Sequence, residues 1–123
     1  MTRTIALLQG DSTVGDLIGN ALRLESLAAL AATNGAALAL STELAICGYP
    51  PRDLLLQPEF VNKAQDQACK LNVQIPVLVG APLTPDHAKQ LPSNGVVRCG
   101  PNTASSDHGN RVVARKQLLP TYD

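Results

Sequence analysis

The chain has no tryptophan, one phenylalanine and two tyrosines, so aromatic residues make up 2% of its 123 positions. Its apolar mass is mainly alanine, leucine and valine, which bury less area per residue, and a core built from them alone is thin. It also lacks an excess of either charge, since ten basic residues balance ten acidic ones. Without a net positive field there is little to hold a polyanion or an anionic membrane surface, which argues against nucleic acid and membrane partners. Cysteine is scarce. Cys47, Cys69 and Cys99 are widely spaced, with no CxxC pair and no histidine cluster of metal-ligand spacing, as expected of a reduced cytoplasmic protein. The longest early apolar run, Ile5 to Leu8, is too short for a signal-peptide core, and no run approaches a membrane span.

What is present reads as one α/β domain. TIALLQ at 4–9 predicts a short buried strand, and GDSTVGD at 10–16 a polar loop. Asp16 can cap a helix whose apolar stripe is Leu17, Ala21, Leu24, Ala28 and Ala31, with Asn34-Gly35 as its stop. AALALST at 36–42 predicts a second strand, and strand–helix–strand favours a parallel pair with a right-handed crossover. Gly48, Pro50 and Pro51 then stiffen an irregular loop, and Pro58 can open a second helix carrying Phe60, Ala64, Ala68 and Leu71. VQIPVLVG at 73–80 predicts a third strand, with Pro76 keeping its start near an edge or outside the ladder. Residues 81–94, with Pro82, Pro85 and Pro92, read as a surface connection, and GVVR at 95–98 with RVVAR at 111–115 as a closing hairpin. The order predicts a mixed sheet with two helices on one face. The other face needs a cover that this chain does not supply.

Two charges stand out by position: Glu43 follows the second strand and Lys116 follows the last. Taken singly, each reads as a solvated strand-end charge. Cys47 lies close to Glu43 in sequence, but a buried loop cysteine is the simpler reading, and His87 and His108 read as solvated loop residues. Gly10, Gly15 and Gly19 do not have the GxGxxG spacing of a dinucleotide loop.

Taken together, IALLQGDSTVGDLIGN, TELAICGYPPRDLLLQPEF and RVVARKQLLPTYD resemble the start of the nitrilase-type glutaminase domain of glutamine-dependent NAD synthetases. TVGDL at 13–17, GYPPRDLLL at 48–56 and RKQLLPTYD at 115–123 are the most specific parts, and 81–110 the weakest. The resemblance implies about half of a nitrilase-like four-layer α-β-β-α sandwich. It implies a Cys-Glu-Lys amidase site in which Glu43 is the general base and Lys116 the cation beside it, with the carboxylate partly desolvated at the end of a buried strand. Tyr49 and Tyr122 resemble substrate-pocket positions, and serve equally well as rigid aromatics that pack a loop. The nucleophilic cysteine of the family lies beyond the lysine and matches no position here, so residues 1–123 are expected to be the N-terminal part of a carbon-nitrogen hydrolase domain, truncated before the nucleophile and inactive alone. In the parent enzyme glutamine would be hydrolysed to supply ammonia for NAD synthesis. No cofactor is expected in this chain, with ATP and deamido-NAD reserved for an absent synthetase domain. A homo-oligomer, or association with the missing half, would cover the sheet. The alternatives are a non-catalytic module that self-associates through that sheet, or an amidase of another nitrilase branch. Where the family has a Phe-Pro pair before the glutamate, this chain has Ser41-Thr42, and where a histidine often follows Lys-Gln it has Leu118.

Overall fold

The computed structural model describes residues 2–86, 91–101 and 110–116. Strand β1 (Thr4–Leu8) leads into helix α1 (Leu17–Thr33), whose first turn is capped by the Asp16 carboxylate accepting from the Gly19 N–H at 3.0 Å. The helix stops at Asn34, and Gly35 follows at φ +83°, a backbone setting that glycine adopts without a Cβ clash. Strand β2 (Ala36–Ser41), a 3-10 turn over Arg52–Leu56 and helix α2 (Pro58–Cys69) come next, and α2 carries its proline in the first turn, where no N–H is required. Strands β3 (Val77–Leu83), β4 (Ser93–Cys99) and β5 (Arg111–Arg115) complete a five-stranded sheet in the order β1-β2-β3-β4-β5.

The sheet is mixed: β1, β2 and β3 run parallel, and β4 and β5 return antiparallel. Both helices lie against one face, α1 over β1 and β2 and α2 over β3 and β4, and the small side chains Ala28, Ala39, Ala64 and Ala68 let the layers approach closely. Val77, Val79, Ala81, Leu83, Val97 and Cys99 fill the same layer, all buried.

Two expectations are corrected. The third strand begins at Val77 and runs on through Ala81, Pro82 and Leu83, and the fourth begins at Ser93, so the two ends of the expected surface connection, 81–83 and 93–94, are sheet. Pro82 is tolerated because β2 pairs with β3 only at Val77 and Leu78; beyond that, β4 alone borders β3 as a regular strand, and no second ladder asks Pro82 for an N–H. Pro76 does stand outside the ladder as a donor, while its carbonyl accepts the Ala39 N–H at 3.0 Å.

Among the described residues, nothing covers the second face of the sheet. Ile5 and Leu7 of β1 are 56% and 65% exposed, and their partners Leu38 and Leu40 on β2 continue an apolar surface toward Leu78, Val96 and Ala114.

Candidate active site

Glu43 lies in the turn that follows β2, and three sets of contacts fix that turn. The Gly80 N–H of β3 donates to Ser41 Oγ at 2.9 Å, and the Ile46 N–H donates back to the Gly80 carbonyl at 3.2 Å. Ser41, at one of the positions where the sequence leaves the family pattern, is therefore part of the support. Gly80 itself is required by space: a Cβ there would lie 2.5 Å from the Thr42 carbonyl and 2.6 Å from the Leu44 nitrogen, so only a glycine lets the turn cross the strand. Leu44 takes the left-handed setting at φ 53°, uncommon for a leucine, and it is buried.

The loop between β1 and α1 grips the far side of the same segment. Ser12 Oγ donates to the Ala45 carbonyl at 2.7 Å, and the Gly15 N–H donates to the Cys47 carbonyl at 2.9 Å. Asn20, fully buried, accepts from the Thr13 N–H at 2.8 Å and donates to the carbonyls of Thr13 and Ile46 at 2.8 and 3.1 Å. Gly48 packs against the Val14 backbone, with φ +84°. TVGDL and GYPP, the two sequence elements that stand out early in the chain, thus meet as two sides of one clamp behind Glu43.

Lys116 reaches Glu43 from 73 residues away, with Nζ 3.4 Å from Oε1. A bulge in β5 aims it. Val96 pairs with Ala114 but Val97 pairs with Val112, so Val113 is an extra residue on β5. Side chains alternate along a strand, and the extra residue flips the parity: Val112 packs against the core, while Ala114 and Lys116 turn to the open face. Arg115 consequently points the other way, to Asp86 Oδ1 at 3.2 Å and the Thr84 carbonyl at 2.8 Å.

Glu43 and Lys116 stand at a cleft of about 460 Å³ on the open face, lined by Leu40, Leu78, Val96 and Ala114 with Asn94 among its polar residues. The burial expected of Glu43 is not found, because its side chain is 52% exposed and that of Lys116 40% exposed. The physical reason is that no described element packs over this end of the strand, and a strand end is desolvated only when something covers it. An ion pair this exposed contributes at most about 1 kcal/mol to stability, so its arrangement is not explained by folding energy. Tyr49 is 62% exposed and shares with Glu43 a second, smaller cavity of about 150 Å³ that also includes Asp11 and Ser12. Tyr122, His87 and His108 lie outside the described residues.

Cys47 is fully buried in the loop, where desolvation pushes its thiol up to about 11 against a partial offset from a backbone hydrogen bond. Burial and the raised proton affinity both fit a structural loop cysteine better than an activated nucleophile. Cys99, also buried, is pushed up to about 12, first by desolvation. Asn94 was not legible as a site residue, yet its amide Nδ2 donates to Glu43 Oε1. Its only sequence signal was its place one residue before a strand-like run, which is too common to mark a function. Among the described residues, no helix is long and apolar enough to cross a membrane.

No protein-family model matches the chain. It is 39% identical over 125 aligned residues to a glutamine-dependent NAD(+) synthetase of Synechocystis, covering 98% of this chain and 22% of the relative. A synthetase of the same description from Mycobacterium tuberculosis is 34% identical, with 96% of this chain and 17% of the relative aligned. The chain thus spans about a fifth of the length of the curated relatives it matches. Among solved structures, the Acinetobacter baumannii glutamine-dependent NAD+ synthetase in complex with ADP superposes with TM-score 0.73 at 25% identity, over 97% of this chain and 22% of that one. A mutant of the Nesterenkonia AN1 amidase from the nitrilase superfamily gives TM-score 0.71 at 26% identity, over 97% of this chain and 44% of that one. The chain accordingly corresponds to the N-terminal part of the glutamine-dependent NAD synthetases and has the nitrilase-like fold.

Proposed function

We propose that residues 1–123 are the base-and-cation part of a glutaminase domain, truncated before its nucleophile, whose parent enzyme hydrolyses glutamine and passes the ammonia to NAD synthesis. The observation that carries this reading is the approach of Lys116 Nζ to Glu43 Oε1 at 3.4 Å beside an open cleft, reached through a strand bulge and a strand glycine that have no other evident use. In the reaction, a cysteine thiol from outside this chain gives its proton to Glu43 as its sulfur attacks the amide carbon, and the oxyanion that forms faces the Lys116 ammonium. Collapse expels ammonia with the proton returned by Glu43, leaving a thioester. Glu43 then takes a proton from water, and hydrolysis releases glutamate and restores the thiol. Tyr49, on the small cavity beside Glu43, would contact substrate, with Tyr122 in the same role by resemblance. ATP and deamido-NAD would bind a separate synthetase domain.

The same reading accounts for the open face. The rest of the domain would cover this face and close the cleft beside Glu43. The isolated 123-residue chain is expected to show no glutamine hydrolysis, and the full-length enzyme to lose it on Glu43→Gln. Turnover by the isolated chain that disappears with Glu43→Gln would sink the proposal. The exposed Ile5 and Leu7 favour a second reading, a module that self-associates through this face. Sedimentation decides: a concentration-dependent dimer of the isolated chain supports self-association, and a stable monomer removes it.

A further inference from the structure

We infer that Asn94 is the positioning residue of the Glu43–Lys116 pair, holding the carboxylate by its side chain and the lysine by its backbone. The inference rests on the reading of Glu43 as the base. Asn94 lies on β4, opposite Pro82 of β3, and its Nδ2 donates to Glu43 Oε1 across 51 residues of sequence. Its main-chain carbonyl accepts the Lys116 N–H at 2.7 Å, just beyond the last β4–β5 pair, Gly95 with Arg115. One residue therefore ties together the turn after β2 and the end of β5.

The chemistry of an amide suits this task. Lys116 is a point charge on a flexible four-carbon stem, and at 3.4 Å it attracts the carboxylate without fixing its orientation. An amide N–H is directional, is neutral, and does not itself titrate in the working pH range, so it orients the carboxylate without adding a second ionising group to the site. Both contacts fall on Oε1. Among the described residues neither contact uses Oε2, the oxygen that can accept a proton from an incoming thiol or water. Because proton transfer and attack are sensitive to misplacement of about an ångström, loss of the donor should act on turnover more than on binding.

In the full-length enzyme, Asn94→Leu, similar in size but without a donor, is expected to lower kcat for glutamine hydrolysis about 10- to 100-fold while KM stays within about twofold. Asn94→Asp, which sets a second carboxylate against Glu43, should lower kcat at least as far. Wild-type kcat in either variant overturns the inference. A spectroscopic arm uses the unaltered 123-residue chain beside Glu43→Ala: the Asn94 side-chain amide resonances should move further than those of any other asparagine or glutamine, and unmoved resonances overturn the inference. The two levels separate cleanly. If Glu43→Gln retains turnover, the base assignment falls and this inference with it; if Glu43→Gln is inactive while Asn94→Leu keeps its kcat, only the role of Asn94 falls.

Discussion

The two faces of the sheet are made by the same strands and have opposite fates. On the helix side Ala39, Val79, Leu83 and Val97 are completely buried, whereas on the open side Ile5 and Leu7 keep more than half of their surface. Alternation along each strand supplies both faces with apolar residues, but α1 and α2 cover only one. Every candidate catalytic contact lies at the margin of the uncovered face. Among the described residues, packing is thus built on one side of the sheet, while the Glu43–Lys116 pair stands solvated at the edge of the other.

Substitutions can test how separate the two sides are. The largest contrast is expected between Leu83→Ala and Leu7→Ala in urea unfolding of the isolated chain. The first opens a cavity in the covered layer and should cost about 2–5 kcal/mol, while the second should stay within about 0.5 kcal/mol. Equal losses would show that the open face is already covered in solution.

Alkaline pH acts on the buried thiols. Cys47 is raised to about 11 and Cys99 to about 12 from an ordinary 9.0, so in the folded state both hold their protons longer than in the unfolded chain. Their contribution is fully present below pH 9 and is lost as pH rises toward those values, by about 1.4 kcal/mol per pH unit for each thiol. The urea midpoint should fall between pH 8.5 and roughly pH 10.5, and the fall should shrink in Cys47→Ala relative to the same variant's own value at neutral pH. A flat midpoint would mean that the thiols are not buried.

Gly80 joins the two sides, since it belongs to β3 yet carries the Glu43 turn. Gly80→Ala drives a methyl into the Thr42–Leu44 backbone and should cost about 1–3 kcal/mol. It should also weaken the Glu43–Lys116 contact, read as a change in the Lys116 side-chain resonances; an unchanged stability would remove the argument for a space requirement. The smallest effect belongs to Lys116→Met, which should shift stability by less than about 1 kcal/mol because the pair is exposed. Under the glutaminase function proposed above, the same change should abolish glutamine hydrolysis by the parent enzyme, so a variant that is stable and active would detach Lys116 from the chemistry.

Much of the fold was legible because its signals are local. Asp16 caps α1, Asn34-Gly35 ends it, and Pro58 opens α2, each within one turn of the feature it sets. The limits of β3 and β4 were misread because Pro82 and Pro92 signal loops locally, and only the early departure of β2 makes a proline acceptable inside β3. Glu43 and Lys116 were singled out through their motif surroundings and lie 3.4 Å apart, and the clamp of Ser12, Gly15 and Asn20 behind the turn shows why the surroundings of Glu43 go together. The solvent exposure of Glu43 was not legible, because burial depends on layers and not on the residue's own strand.

By itself, the sequence determined which segments form the two helices and, apart from the limits of β3 and β4, the strands, and which side of each helix is apolar. Those properties follow from neighbours within a few positions. Tertiary structure alone decided that Lys116 faces Glu43, that Asn94 stands between them, and that Arg115 does not. A bulge is a mismatch in residue count between two strands, so the parity that aims Lys116 exists only once β4 and β5 have paired.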